Sequence, residues 1–522
     1  MRRCSLLIAL VALVVIAADP AGAVPFATGP VTQVSGASSL TTPPCSATQG
    51  EGTVLPGKQA LYVNSEVEPW VDVHPTDPNI VAAMWQQDRW FNGGARANVG
   101  AVSIDGGATW SEVRFPDITQ CDGGPWDRAS DPWISFSPNG DLHVMHLVLD
   151  IETVPGKPGG FGPNGMAVQK IEGSAFADGI IDTGEISEPI LIASEDNGEG
   201  LHDKNSMTAD PFDSDFVYAV WDLLDLPAGA AINPDRGVFG GGLGFKGAAL
   251  FSRTTDGGQT WSEPKVLYNP GGVNQTIGNQ IVVDDDGTLY DFFNEILNFR
   301  NDDGGAQFEF NLSFKLSNDR GERWRPGGRP VRVAKIVPAP VRDPDTNEPH
   351  RTADVIFDVA SDLSTGALYA VWQDRRFTGR SAIAFTMSID GGSTWTTPAR
   401  IDKTPVTGTA NDQTFLPAVD VADDGTVGVT YYDFRNNGPG GGTDTDHWFV
   451  HCHAACSNPA NWEEGHVDGP FDARQAPFAN GYFLGDYVGL DHAGNVFTPF
   501  FTEGLSPADP SSQFYAEVAP AP

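Results

Sequence analysis

One eight-residue signature, S-x-D-G-G-x-T-W, constrains this chain more than any other feature. It recurs with small variations as Ser103 to Trp110, Thr254 to Trp261, Ser317 to Trp324 and Ser388 to Trp395. Each copy follows an apolar, strand-like run such as Ala248 to Phe251 and precedes another such as Val266 and Leu267. The unit therefore reads as a hairpin. Asp105, Asp256, Asp319 and Asp390 bond backbone amides of their own turns, glycine supplies positive φ, and the tryptophan folds back over the turn. Ser457 to Trp462 is a weaker variant that keeps the serine and tryptophan but loses the Asp-Gly pair.

A second pattern runs in step with the first: a strand, a tight acidic turn, and a strand ending in aromatic and then acidic residues. Val81 to Trp85, Leu142 to Leu147, Val217 to Asp222, Leu289 to Phe293, Leu368 to Asp374, Val427 to Asp433 and Val496 to Phe501 occupy the same slot. These mark seven units, about 60 to 75 residues apart, each with room for four short strands and none with a long helical pattern. Sixty glycines, forty prolines and 10% aromatic residues fit a turn-rich, all-β chain. The expectation is a β-propeller of four-stranded blades, six or seven in number with seven favoured. The seventh unit, ending in Gln513 to Val518, lacks an outer strand, and Ala60 to Asn64 is the expected donor.

Arg2 and Arg3, the apolar run from Leu6 to Ala18 and the small residues Ala21 to Ala23 make residues 1–23 a secretory signal peptide. Residues 24–59 then form an N-terminal extension and 60–522 the propeller. No later stretch approaches the roughly 20 apolar residues of a membrane span. The expected product is exported and monomeric. A formal charge of −37 argues against nucleic acid and anionic membranes as partners. No cofactor is required, although Asp284 to Asp286 and Asp302 to Asp303 are oxygen-rich runs of the type that hold structural calcium. Export favours paired cysteines. Cys452 with Cys456 closes a small loop, leaving Cys45 with Cys121, while His451 and His453 point away from Cys452 and are not read as a metal site.

The four full repeats resemble the Asp-boxes of the sialidase superfamily, over almost the whole chain after the signal peptide. The resemblance implies a sialidase-like propeller whose Asp-boxes are structural turns, and an exo-α-sialidase-like glycosidase acting on acidic glycans. A non-catalytic propeller that binds a glycan or protein, and a polysaccharide lyase using His202 and Tyr487, are the alternatives.

In a propeller, residues before first strands and after second strands converge on a central mouth. Those positions hold Asp88-Arg89, Asp127-Arg128, His202-Asp203-Lys204, Asn294-Glu295, Arg351, Asp374-Arg375-Arg376, Asp412-Gln413, Asp433-Phe434-Arg435 and Asp486-Tyr487. With only 31 lysines and arginines in the chain, this concentration is informative. A guanidinium fork grips a carboxylate with two bonds. Asp–Arg pairs that merely lock neighbouring blades are the structural alternative.

Sialidases use three arginines on the substrate carboxylate, a tyrosine activated by a glutamate, and an aspartate as acid/base. The Arg-Ile-Pro motif of that family has no counterpart here, so roles follow blade position and chemistry. Arg89, Arg375 and Arg435 form the expected clamp, with Arg128, Arg351 and Arg376 as further substrate-binding candidates. Tyr487 is the expected nucleophile, Glu295 its base, and Asp127 or Asp88 the acid/base.

Overall fold

The computed structural model describes residues 25–40, 45, 57–152, 161–225, 246–300, 306–438 and 442–521. The signal segment 1–23 and the Asp302–Asp303 run lie outside them. The described residues contain strands, turns and a few single-turn 3-10 helices. No helix among them is long and apolar enough to cross a membrane.

Six four-stranded antiparallel units follow one another along the chain. Sheet I comprises Leu61–Val73, Val81–Trp90, Ala95–Ser103 and Ser111–Arg114; sheet II comprises Arg128–Phe136, Leu142–Leu149, Asn164–Ile171 and Ile190–Glu195. Sheet III comprises Gly200–Ala209, Val217–Asp225, Lys246–Thr254 and Lys265–Tyr268; sheet IV comprises Gln275–Val283, Leu289–Arg300, Ala306–Ser317 and Val331–Ile336. Sheet V is Phe357–Asp362, Ala367–Asp374, Ala382–Ser388 and Ala399–Arg400, and sheet VI is Thr414–Val421, Val427–Asp433, Asp444–Cys452 and Glu463–Asp472.

Sheet VII is built from both ends of the chain. Gly489–Ala493, Val496–Ser506 and Asp509–Tyr515 are its first three strands, and Thr32–Gln33 pairs with the third as the outer one. The expected donor was Ala60 to Asn64, but Leu61 and Tyr62 instead pair with Trp90 and Arg89 inside sheet I. The extension also supplies Phe26–Thr28, which pairs with Val518–Pro520.

The first strands meet in order, I to II through to VII, and the first strand of VII packs against that of I. A cavity of 480 Å³ is lined by first-strand residues from all seven sheets, among them Asp72, Ser135, Val283, Val359, Val421 and Asp491.

The Asp-box turns of sheets I, III, IV and V tie each of these to the sheet before it. Ser103 Oγ donates to Asp105 Oδ1 at 2.8 Å, and Asp105 accepts from the Thr109 amide at 2.8 Å and its hydroxyl at 2.7 Å. The turns at Asp256, Asp319 and Asp390 repeat the serine or threonine bond and the amide bond. Trp110 meets Tyr515 of sheet VII edge-on at 5.3 Å, and Trp324 meets Phe251 of sheet III at 5.3 Å. A Cβ on Gly107 would overlap the Tyr515 ring, and one on Gly392 would lie 2.6 Å from Phe314 of sheet IV. The second glycine thus serves docking as well as turn geometry. Trp462 of the weaker variant packs on Phe385 of sheet V at 4.9 Å. Its turn is closed by the Cys452–Cys456 disulfide in place of an aspartate. The other disulfide joins Cys45 to Cys121, as expected.

Gly392 and Gly408 both adopt left-handed backbone, at φ +75° and +84°, but nothing lies within 4 Å of a Cβ on Gly408. Gly408→Ala should cost about 1 kcal/mol through backbone strain alone. Gly392→Ala should cost about 2–4 kcal/mol, because overlap with Phe314 adds to the strain. Denaturant midpoints measure both, and equal losses would refute the docking role.

Candidate active site

A second repeat, invisible in the sequence pattern, lies on the first strands. Glu68, Asp131, Lys204, Gly278, Ala353, Leu416 and Gly485 all have left-handed φ, one before or within the first strand of each sheet. In sheets I, II, III, IV and VI the pairing register also shifts at this point. A bulge of this kind re-aims a side chain out of the strand pleat. Five of the seven are not glycine. Each of those costs about 1–2 kcal/mol of backbone strain, the form in which strain is stored at functional sites.

Three of these re-aimed positions carry charge, and they converge. Lys204 Nζ lies 3.3 Å from Asp131 Oδ2, 3.5 Å from Glu68 Oε1 and 2.6 Å from Asp486 Oδ2. Asp486 follows the left-handed Gly485 of sheet VII, so sheets I, II, III and VII meet at one ammonium. From the approach to sheet V, Arg351 grips Asp486 with both Nε and a terminal nitrogen. The guanidiniums of Arg351 and Arg89 lie 4.3 and 5.0 Å from the Phe483 ring. Arg89 also donates to Gln86 Oε1 at 2.6 Å, and Gln86 donates to Glu68 and to Ser130 Oγ. Asp203 Oδ2 has no hydrogen-bond partner although the residue is 5% exposed.

The environment splits the carboxylates. Burial, followed by repulsion from Asp131 and Asp486 that Lys204 only partly offsets, raises Glu68 to about 8. Asp203 rises to about 7 for the same reasons. Burial acts on Asp486 too, but Arg351 and Lys204 outweigh it and hold the group far below the usual carboxylate range. Burial opposes the charge on Lys204, yet the surrounding carboxylates raise it well above the ordinary lysine value. Carboxyl groups driven apart in this way are the arrangement that lets one act as acid while another stays ionised.

Beneath the charges lies an aromatic layer. Trp70 and Trp133 stack at 3.5 Å, and Tyr487 meets them edge-on at 6.0 and 5.4 Å. The Tyr487 hydroxyl donates to the Pro132 carbonyl at 3.3 Å, and burial, then Glu68, raises its pKa well above the ordinary value. The central cavity continues below this layer to Asp420, Asp491 and His492.

Of the sequence-derived candidates, the structure brings Arg89, Arg351, Asp486, Lys204, Asp203 and Tyr487 together. It separates Glu295 from Tyr487: that carboxylate accepts from Arg332 at 2.7 and 2.9 Å and from the Tyr268 hydroxyl at 2.6 Å. Arg375, Arg376 and Arg435 do not join Arg89. Arg435 is held by Asp433 and Glu464 over the Trp448 ring, Arg376 by Asp374 at 2.6 Å, and Arg375 is exposed near Asp354. Arg435 and Arg376 thus pair with acids of their own sheets instead of reaching the axis.

Arg128 stands behind Arg89 over Trp90, bonded to Asn92 and the Gly93 carbonyl. Asp88 accepts from Ser38, Asn64 and Arg96, and Asp127 from Gln120 and the Ile151 amide. Both carboxylates are therefore spent on loops. His202 accepts from Trp221 Nε1 at 2.9 Å, and burial lowers it to about 4. The Asp284 to Thr288 run bonds its own amides as a turn, and His451 packs 4.4 Å from Phe26. Glu68 and Asp131 escaped the sequence reading. Their signal was the shared acid-Pro-Trp triplet, Glu68-Pro69-Trp70 and Asp131-Pro132-Trp133.

No family model matches the chain, and no curated protein matches its sequence. Among solved structures, the Hadza microbial sialidase Hz136 is similar over 84% of this chain and 73% of its own, at 14% identity and a TM-score of 0.45. The intramolecular trans-sialidase of Ruminococcus gnavus matches over 89% and 97%, at 13% identity and a TM-score of 0.38. The α-L-arabinanase of Penicillium chrysogenum matches over 75% and 93%, at 11% identity and a TM-score of 0.40. At such distances function has to be read from the site itself.

His492 offers a pH test at the far end of the cavity. Burial opposes its protonation, but Asp420 at 2.6 Å, then Asp491 and Asp423, raise it to about 10. The stability this contributes is complete below the unfolded value of 6.5 and is lost as pH rises through about 10. Unfolding midpoints should therefore fall between pH 7 and 10 in the parent protein and fall less in His492→Gln. Parallel profiles would contradict the assignment.

Proposed function

We propose that the chain is a secreted, seven-bladed propeller glycoside hydrolase that acts on acidic glycans at the central mouth. The observation that carries this reading is the cluster of Glu68, Asp131 and Asp486 around one ammonium, with the ionisation of Glu68 and of Asp486 driven apart. Glycoside hydrolysis asks for one carboxyl group that keeps its proton to give to the leaving oxygen, and another that is ionised on the far side of the sugar. Glu68 fills the first role. Asp203, whose Oδ2 has no partner, fills the second as base toward water. Arg89 and Arg351 supply the positive charge that an acidic sugar needs, in a chain that is otherwise strongly anionic. The ring of first strands, the shared cavity and the two disulfides support the propeller and its export.

The paired arginines on Phe483 favour an exo-α-sialidase as the more specific version. Tyr487 is then the nucleophile, with Asp203, whose charge acts on its hydroxyl, as the base in place of Glu295, while Glu68 remains the acid. The solved relatives named above as sialidases and as an arabinanase set the substrates to try first.

Fluorogenic sialosides, glucuronides and arabinofuranosides form the test panel. Release of fluorophore is expected from at least one, falling by about 10²–10⁴-fold in Glu68→Gln. The rate should be bell-shaped. It should rise as Asp203 ionises near pH 7 and fall as Glu68 ionises near pH 8, with both limbs belonging to the coupled group. Full activity in Glu68→Gln sinks the assignment. No release from any glycoside, with either saturable binding alone or ultraviolet-absorbing products from uronate polymers, favours the binding module or the lyase.

A further inference from the structure

A second cavity, of 600 Å³, opens between the outer strand of sheet III and the flank of sheet IV, away from the central mouth. Its charge runs against that of the chain. Lys315, Arg329 and Arg332 line it with a single carboxylate, Glu295, whereas the whole chain has 68 acidic residues to 31 lysines and arginines. Glu295 is fully engaged by Arg332 and Tyr268. Lys315 is 3% exposed, donates to the Pro326 carbonyl at 2.6 Å and stands 5.1 Å from the Tyr268 ring. The acidic residue across the strand pair, Asp291, makes no hydrogen bond to it. Arg329 is exposed and, among the described residues, forms no ion pair. Arg329 is thus left for a ligand, and beside it stands Lys315, whose charge burial disfavours and Asp291 supports.

The rest of the lining is suited to a sugar. Tyr268 is braced by stacking on Phe293 at 5.4 Å, and Asn269 and Asn298 bring amides to the same space. An aromatic ring beside amides and cations matches a ring with hydroxyls and one negative group.

We infer that this cleft is a binding site for a carboxylate-bearing sugar, a uronate-type residue held by Lys315 and Arg329 against Tyr268, separate from the site of bond cleavage. It rests on the reading of the protein as glycan-acting only for the choice of a saccharide over other carboxylates. In an extended acidic polymer, the cleft anchors one residue while another reaches the mouth.

Calorimetric titration of the full chain with sodium glucuronate, glucose and sodium sulfate tests this. Glucuronate should bind saturably, roughly tenfold or more weakly in Arg329→Ala and in Lys315→Met, and unchanged in Glu68→Gln. Arg329 is exposed and forms no ion pair among the described residues, so its variant keeps the test valid if Lys315→Met does not fold. Binding of glucuronate unaffected by Arg329→Ala overturns the site, as does no saturable binding at all. Glucose binding equally well removes the carboxylate, and sulfate displacing glucuronate at equal concentration removes the sugar. Loss of activity in Glu68→Gln is read separately, so the mouth and the cleft fail or stand independently.

Discussion

An ammonium ion held among carboxylates at the meeting point of four sheets is the interaction on which the rest of this molecule depends. Lys204 is buried with Asp131, Glu68 and Asp486 all within 3.5 Å. Removing one member of such a cluster strands the others, at about 3–5 kcal/mol. Those partners come from residues 68, 131 and 486, so the cluster exists only when distant parts of the chain have closed on each other. The closure of sheet VII by Thr32–Gln33 and the docking of each Asp-box on the preceding sheet hold that arrangement. Architecture and chemistry are therefore coupled through the same few side chains.

The strain at the five non-glycine left-handed positions fits the same picture. An ordinary strand would send Glu68, Asp131 and Lys204 into the sheet faces, where apolar neighbours such as Trp70 and Trp133 pack. Bulging each strand once turns the charges toward the axis and leaves the aromatic residues as a floor beneath them. Three of the strained residues, Glu68, Asp131 and Leu416, precede proline, which narrows their backbone choices further.

Much of the architecture was legible in the sequence because turn chemistry is local. Asp105, Gly107 and Trp110 announce a hairpin whatever the tertiary context, and the spacing of second strands marks out the four-stranded units that follow one another along the chain. The outer strand of sheet VII was not legible: Thr32–Gln33 is two residues long and carries no alternation, while Ala60 to Asn64 looked more strand-like and belongs to sheet I. The site was half legible. Convergence at strand ends selects Arg89, Arg351, Lys204 and Asp486, which the structure brings together, but it does not tell an arginine facing the axis from one folded back on its own aspartate. Arg435 and Arg376 satisfy neighbours two residues away, a local alternative that competes at every Asp-x-Arg sequence. Glu68 and Asp131 were missed because their direction depends on a bulge, and a bulge is a property of strand pairing.

The central claim is that Glu68 keeps its proton at neutral pH while Asp486 beside it is ionised. Infrared difference spectroscopy of the parent protein against Glu68→Gln at pH 7 addresses it directly, since a protonated carboxyl and an ionised one absorb in separate regions. The account predicts loss of a protonated carboxyl band in the variant, and the same band disappearing from the parent as pH rises through about 8. Loss of an ionised carboxylate band instead would show that Glu68 is charged in the folded protein and has no proton to give.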